Sequence, residues 1–394
     1  MWEQYCHMAK LKSSVNRPVG TAFMRLLSAF LLTGGVFGGC DLPPKPPDVF
    51  FKFNSVQVGL GPTYLVTADL NLDGETDLIS ANSRDHSLSI LFGRGNGSFK
   101  SSPALLVPLE PSALLVADVN KDGLPDIIAN SRGTNSLTIL LGKGKNAFSK
   151  AKSIPTGQVP LSMTLGDFNE DGFADIAVTL TFSKMEIYLG KGDGRFSKGA
   201  TYETGSRSFS GVTADFNRDG HLDVALAVHS SNASSIRLYF GQGDGTFPTS
   251  SKIAQGFGCL ALAQADMNGD GFRDLVAASG SGDNLYFLPA NGDGTFKKEI
   301  AFAGGGGPIA LALDDFDDDK QIDVTVANSR SSTFSLITRN RDGSFHFPVR
   351  DYVTGGTPLM ITTGDFNSDG MSDIAVASNS EGNVDIFLRR RIMK

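Results

Sequence analysis

One nine-residue pattern, Asp-x-Asn/Asp-x-Asp-x-x-x-Asp, constrains this chain more than any other feature. Copies begin at Asp69, Asp118, Asp167, Asp215, Asp266, Asp315 and Asp365, at intervals of 49, 49, 48, 51, 49 and 50 residues. A fixed period near 50 predicts a propeller or solenoid, in which each repeat buries its apolar face only against its neighbours. Every copy continues alike. An apolar strand follows the acidic loop, as in Asp175-Ile176-Ala177-Val178 and Asp373-Ile374-Ala375-Val376. After a polar turn comes a second strand, such as Leu137-Thr138-Ile139-Leu140-Leu141. A glycine-rich turn ending in Phe comes next, as in Gly192-Asp193-Gly194-Arg195-Phe196. A third strand leads to Gly and Pro (Gly157 and Pro160, Gly355 and Pro358), and a fourth enters the next acidic loop. Four short strands with glycine turns make a propeller blade. The predicted fold class is therefore all-β, a seven-bladed β-propeller of four-stranded blades.

The two ends predict how the ring closes. The seventh repeat stops after Val384-Asp385-Ile386-Phe387-Leu388, without a glycine turn or last strand. An orphan strand, residues 49–58, precedes the first acidic loop. The N-terminal strand should complete the seventh blade, which removes two sheet edges that would otherwise invite pairing. The propeller then spans 49–388, about 49 residues per blade, with no length for a second domain. Residues 389–394 read as a solvated basic tail.

The acidic loops read as calcium sites. Position one is the Asp of each copy named above. Position three is Asn71, Asn120, Asn169, Asn217, Asn268, Asp317 and Asn367. Position five is Asp73, Asp122, Asp171, Asp219, Asp270, Asp319 and Asp369, and position nine is Asp77, Asp126, Asp175, Asp223, Asp274, Asp323 and Asp373. These hold 22 of the 42 acidic residues (3 × 7, plus Asp317). Carboxylates this close repel unless a cation lies among them. Hard oxygen donors at alternate positions, with a backbone carbonyl from position seven, suit Ca²⁺; Mg²⁺ fits less well because the loop offers so many ligands. Position six is Gly in six copies, as a positive-φ turn requires, and Lys320 in the sixth. Strain and competing charge from Lys320 make the sixth site the weakest expectation. An EF-hand would need Glu at position twelve. That position holds Ser80, Ala129, Val178, Leu226, Ala277, Val326 and Val376, inside strand patterns. At ~1 mM Ca²⁺ and ~0.1 mM affinity each site adds about 1.4 kcal/mol. Seven would add roughly 10 kcal/mol, comparable with a whole domain's stability, so up to seven structural ions are expected.

The net charge of −7 excludes a basic nucleic-acid footprint. Three cysteines cannot make a disulfide framework. Residues 26–37 form an apolar run of 12 behind Arg25, too short to span a bilayer and suited to a signal-peptide core. Residues 1–39 are read as that signal, with Met24 as an alternative start. Residues 40–48 are read as Cys40 and a proline-rich, semi-rigid spacer.

Asp167-Phe168-Asn169-Glu170-Asp171-Gly172, followed by Leu189-Gly190-Lys191-Gly192-Asp193-Gly194-Arg195-Phe196, resembles an FG-GAP repeat. The resemblance covers essentially all of 49–388. It implies the seven-bladed propeller of integrin α subunits and of bacterial FG-GAP/VCBS proteins. Three glycine turns depart from the pattern: Lys145-Asn146-Ala147-Phe148, Pro289-Ala290 and Arg339-Asn340-Arg341-Asp342. These should alter local geometry and not the fold. Val36-Phe37-Gly38-Gly39-Cys40 resembles a bacterial lipobox, which implies lipid attachment at Cys40 and an envelope location; the alternative is a secreted or periplasmic protein.

In a four-stranded meander the acidic loops and glycine turns share one face. The turns between second and third strands, and the links between blades, share the other. On integrin-like propellers that other face recognises partners. Its candidate residues here are Arg84, His86, Arg132, Arg207, His229 and Arg330. The recurring Asn-Ser-Arg (from Asn82, Asn130 and Asn328) reads either as a ring of donors or as ordinary turn chemistry. No nucleophile elbow, zinc-protease motif or phosphate loop is present. The expected function is a monomeric, lipid-anchored propeller that binds a protein or glycan and is not an enzyme. The alternatives are a scaffold subunit of an envelope complex and, further off, a polysaccharide-active enzyme.

Overall fold

The structure, a computed structural model, describes residues 48–391 apart from 231–233, 257, 281, 341, 347–348 and 380–381. The signal segment, Cys40 and the spacer up to residue 47 lie outside the described residues, as do residues 392–394. The described residues carry strands and no helix. None is thus long and apolar enough, as a helix, to cross a membrane.

The first strand, β1 (Phe50–Gln57), pairs antiparallel with the last, Asn383–Arg389, and so completes the seventh blade as expected. Blade one is β2 (Pro62–Ala68), β3 (Asp77–Asn82), β4 (Ser87–Gly93) and β5 (Phe99–Ser101), with Leu105–Leu106 adding a short second pairing to β4. The other blades repeat this order from inner to outer strand. The seventh inner strand, Pro358–Gly364, lies beside β2, which closes the ring.

Burial explains the strand sequences. The second strand of six blades, such as β3 and Asp175–Leu180, is buried along its whole length, and its apolar residues fall on both faces, as Leu78 and Ile79 do. A strand covered on both faces loses the hydrophobic alternation of a half-exposed one. Outer strands such as Phe196–Glu203 alternate instead. The core lies between the blades. Seven clusters of buried side chains are present, each shared by two adjacent blades, including the closure between blades seven and one.

The closing seam has its own polar staple. Asp385, fully buried, accepts from Lys52 Nζ at 2.7 Å, from Ser55 Oγ at 2.5 Å and from the Gly355 amide at 2.5 Å. Phe50 packs edge-on against Phe316 of blade six, with ring centroids 5.5 Å apart. One boundary needs correction. Arg389, given to a solvated tail by the sequence reading, is the last residue of its strand and 5% exposed, because its guanidinium reaches back onto blade six. The three irregular glycine turns alter only local pairing: the bridges Gly142–Phe148, Ala290–Phe296 and Arg339–Phe345 survive singly where blades one and three continue the ladder.

Candidate metal centre

Each acidic loop joins the inner strand of a blade to the next strand. In the first loop the Asp69 carboxylate accepts from the amides of Asp73 (3.1 Å) and Gly74 (2.8 Å). Asp73 accepts from the Glu75 amide at 2.9 Å. Asp77 accepts from the Leu70 amide at 2.9 Å and from the Gly93 amide, across the hairpin, at 2.8 Å. The other loops follow this scheme with small departures. In the fourth, Asp215 Oδ1 is buried and has no hydrogen-bond partner.

The loops share two left-handed positions. Position six has φ between 80° and 93° at its six glycines, and Lys320 adopts φ 69° in the sixth loop. The Lys320 amide donates to Asp315 at 2.8 Å, as the glycine amides do, and its side chain is exposed. Position four is left-handed too, at Leu72, Lys121, Glu170, Arg218, Gly269, Asp318 and Ser368. Only the fifth copy has Gly there, so this requirement left almost no trace in the sequence.

Burial sets the electrostatics. All seven position-nine carboxylates are fully buried. Burial pushes Asp77, Asp175, Asp223 and Asp274 up to about 6, Asp373 to about 7 and Asp323 to about 8; the two backbone donors oppose the shift, and neighbouring carboxylates add to it, from positions one and five in general and from Asp317 and Asp315 at Asp323. Asp126 is raised for the same reasons.

The donor set fits a hard cation. In six loops the position-three Asn amide donates to the position-five carboxylate, at 2.8 to 3.0 Å, so the two side chains face each other. Asp317 has no amide to donate. Its Oδ1 is buried and lacks a hydrogen-bond partner. Asp315, Asp317 and Asp323 each place a carboxylate oxygen within 4.8 Å of the others. Three negative groups at that spacing call for a cation or shared protons. All-oxygen donors at one point suit Ca²⁺.

Position two, absent from the sequence reading, ties each loop to the ring. Leu70, Val119, Phe168, Phe216, Met267, Phe316 and Phe366 are all buried, and each packs in the cluster shared with the following blade. Four of their carbonyls accept from the glycine turn of that blade: Phe366 from Gly97 (2.7 Å), Val119 from Gly194 (3.1 Å), Phe168 from Gly245 (2.7 Å) and Phe216 from Gly294 (3.0 Å). The Phe closing the turn packs on the same residue, as in Phe99–Phe366 and Phe296–Phe216.

A family model described as "FG-GAP-like repeat" matches residues 69–129, 118–178, 171–226, 215–277, 266–326 and 315–376. The chain belongs to this family. The six matches run from one acidic loop to the next and take in all seven. No curated protein matches the FG-GAP chain. Among solved structures, BBS1N in complex with ARL6DN, soaked with mercury, is similar at TM-score 0.63 and 12% identity, covering 88% of this chain and 98% of that one. The lead-soaked form of that complex is similar at TM-score 0.62. A lectin of Agrocybe aegerita, described as recognising non-reducing terminal N-acetylglucosamine, is similar at TM-score 0.55 and 18% identity, covering 81% of this chain and 86% of that one. At these identities the likeness is one of fold.

The opposite face of the FG-GAP propeller holds the other sequence candidates. Arg84, Arg132 and Arg207 are exposed there. Arg330 is exposed and pairs with Asp283 of blade five. His86 Nδ1 accepts from the Glu110 amide at 3.1 Å. His229 lies 6.1 Å from the exposed Phe209 ring, with its Nδ1 buried and without a hydrogen-bond partner. The Asn and Ser of the Asn-Ser-Arg repeats serve the turns. Asn130 accepts from the Ala113 amide at 2.7 Å, Asn328 donates to Ser335 at 2.6 Å, and Ser83 and Ser329 donate to Gly61 and Gly307 carbonyls at 3.0 Å. Only the arginines of that repeat face solvent. Leu60, Leu109, Phe182 and Phe209, large apolar residues at least 41% exposed, are on this face, in blades one to four or their links; the sequence reading did not single them out.

Proposed function

We propose that this protein is an exported, lipid-anchored propeller. Calcium in its seven acidic loops braces the ring, and its opposite face binds a protein or glycan. The observation that carries the calcium part is the sixth loop, where three carboxylates converge around a buried, unpartnered oxygen of Asp317. In each loop positions one, three, five and nine would hold the ion, with the position-seven carbonyl. Bound there, Ca²⁺ would neutralise carboxylates that share a loop with the position-two residue riveted into the next blade.

Binding is favoured over catalysis by the inner strands. Together they carry one acidic side chain, Asp314, occupied by Ser372 Oγ at 2.5 Å, one Arg and no His. The face opposite the acidic loops offers the mixture a partner needs, exposed Phe182, Phe209, Leu60 and Leu109 beside Arg84, Arg132 and Arg207. Propellers of similar fold include one solved in complex with a partner protein and one described as recognising a terminal sugar. The envelope address rests on the lipobox-like Cys40.

The test has two arms. Melting of the purified protein is compared in Ca²⁺ and in chelator, together with metal content. A large calcium-dependent rise with six or seven bound ions is expected; no shift and no bound metal would remove calcium from the account. Glycan arrays and envelope-protein pull-downs are then run with the native protein and with Phe182→Ser/Phe209→Ser. Retained binding by a folded variant would move the partner site elsewhere.

A further inference from the structure

Side chains chain the acidic loops into a belt. Position four of one loop touches position seven of the next: Glu170 pairs with His221, Ser368 with Glu75, and Lys121 and Arg218 lie over the Phe173 and Phe272 rings. Among the described residues no such contact joins the first loop to the second, the fifth to the sixth or the sixth to the seventh; in the fifth, position four is Gly269. The glycine-turn rivet is also missing there, because the Gly343 amide donates within its own turn, to Asn340.

Arg339 fills both gaps. Its amide donates to Asp323 of the sixth loop at 2.8 Å. Its guanidinium donates to the Met267 carbonyl of the fifth loop and contacts Gln321 of the sixth at 3.5 Å. It is 5% exposed, lies over the Phe287 ring, and has no carboxylate within ion-pairing distance among the described residues. The carboxylates whose field acts most on it are Asp274 and Asp266, both of the fifth loop. Lys297 adds a second positive group, 3.9 Å from Asp270. Arg389 serves the same joint one blade on, donating to the Asp315 carbonyl at 3.1 Å. That guanidinium is neutralised by Asp318 at 2.7 Å, and the sixth loop carries an extra carboxylate in Asp317.

We infer that the buried, unpaired guanidinium of Arg339 holds down the calcium affinity of the fifth loop, so that this loop fills last. The inference rests on the calcium reading above. A fixed positive charge beside a divalent ion opposes its binding, and in partly buried surroundings salt screens that opposition little. One loop of lower affinity lets the ring answer a change in calcium level that leaves the other six full.

The experiment is a calcium titration against a chromophoric chelator, with ions counted. The native protein should show one step weaker than the rest. Asp266→Asn/Asp270→Asn should delete that step alone. Arg339→Met, which keeps length and removes charge, should strengthen it by about tenfold, the effect of removing one nearby charge. Arg339→Lys should leave it weak. An unchanged or weakened step in Arg339→Met, or a weak step that survives the loop variant, overturns the inference. Should Arg339→Met not fold, Arg339→Gln, neutral and still able to donate to the Met267 carbonyl, is titrated in its place, and an unstrengthened step there overturns the inference equally. Failure of any loop to bind calcium would instead remove the reading beneath it.

Discussion

Phe247 of blade four meets Phe168 of blade three edge to face, with ring centroids 5.3 Å apart, two residues beyond the Gly245 amide that donates to the Phe168 carbonyl. Phe168 is the second residue of an acidic loop, and its own amide donates to Asp175 at 2.9 Å. One residue thus joins a buried carboxylate, the apolar seam and the neighbouring blade. In the four turns whose glycine makes this bond, the closing Phe is explained by the joint, and so is the glycine before it. Gly245 has φ 81°, and a Cβ there would lie 3.0 Å from Leu189.

Phe168→Ala should therefore cost about 3–5 kcal/mol, the usual cost of emptying a buried aromatic site. Combined with Phe247→Ala in a double-mutant cycle, the two should couple by about 0.5–1.5 kcal/mol. Denaturant unfolding in chelator measures both quantities; simple additivity would mean the rings share a seam without interacting.

Metal-free stability should fall as pH rises. Unfolded aspartates release protons near pH 4, whereas the folded chain keeps them on Asp77, Asp175, Asp223 and Asp274 to about 6, on Asp373 to about 7 and on Asp323 to about 8. The folded state binds more protons between about pH 4 and 8, so its advantage is full below that window and is lost across it. Calcium takes the deprotonated carboxylates, so its stabilisation should grow over the same range. Melting curves at pH 5.5 and 8.0 check both slopes. In chelator the higher pH should melt first, and the gap between calcium and chelator should be widest there.

Lys320→Gly should stabilise the sixth blade by about 1 kcal/mol, because a left-handed backbone at φ 69° costs a Lys what it does not cost a Gly. The other six loops already hold Gly there. Denaturation midpoints in chelator isolate this backbone effect from any change in calcium affinity.

Asp385→Ala should loosen ring closure. It strands the Gly355 amide and the partners Lys52 and Ser55 on β1, at a cost of about 2–3 kcal/mol. Hydrogen exchange along β1 should rise before exchange in β3. Equal protection in both strands would show that the seam is held by Phe50 and its neighbours alone.

Much of this was legible because aspartate and glycine betray themselves. The period, the acidic loops and the orphan strand at residues 49–58 each used residue types with one dominant reason to recur. Position two was hidden because Leu70, Val119 and Phe168 look like any core residue. Position four was hidden because the loop's hydrogen bonds impose a left-handed backbone on Leu72 and Lys121, overriding their preference. Arg339 and Arg389 reach across blades, and sequence spacing carries no such information. The Asn-Ser-Arg repeats had two readings, a ring of donors or turn chemistry; Asn130 and Asn328 are buried in the turns they stabilise, and the arginines are exposed.

The pairing of β1 with Asn383–Arg389 also has a meaning in time. Residues 58–382, 325 in all, separate the two strands. At roughly 5–20 residues per second, β1 waits on the order of tens of seconds after its own synthesis for the partner that covers its edge. Throughout that interval the oldest strand is a dangling end, and every nascent or prematurely terminated chain carries it unpaired. Closure therefore works as a receipt for a finished ring: only a chain translated through Asn383–Arg389 can hide the edge of β1.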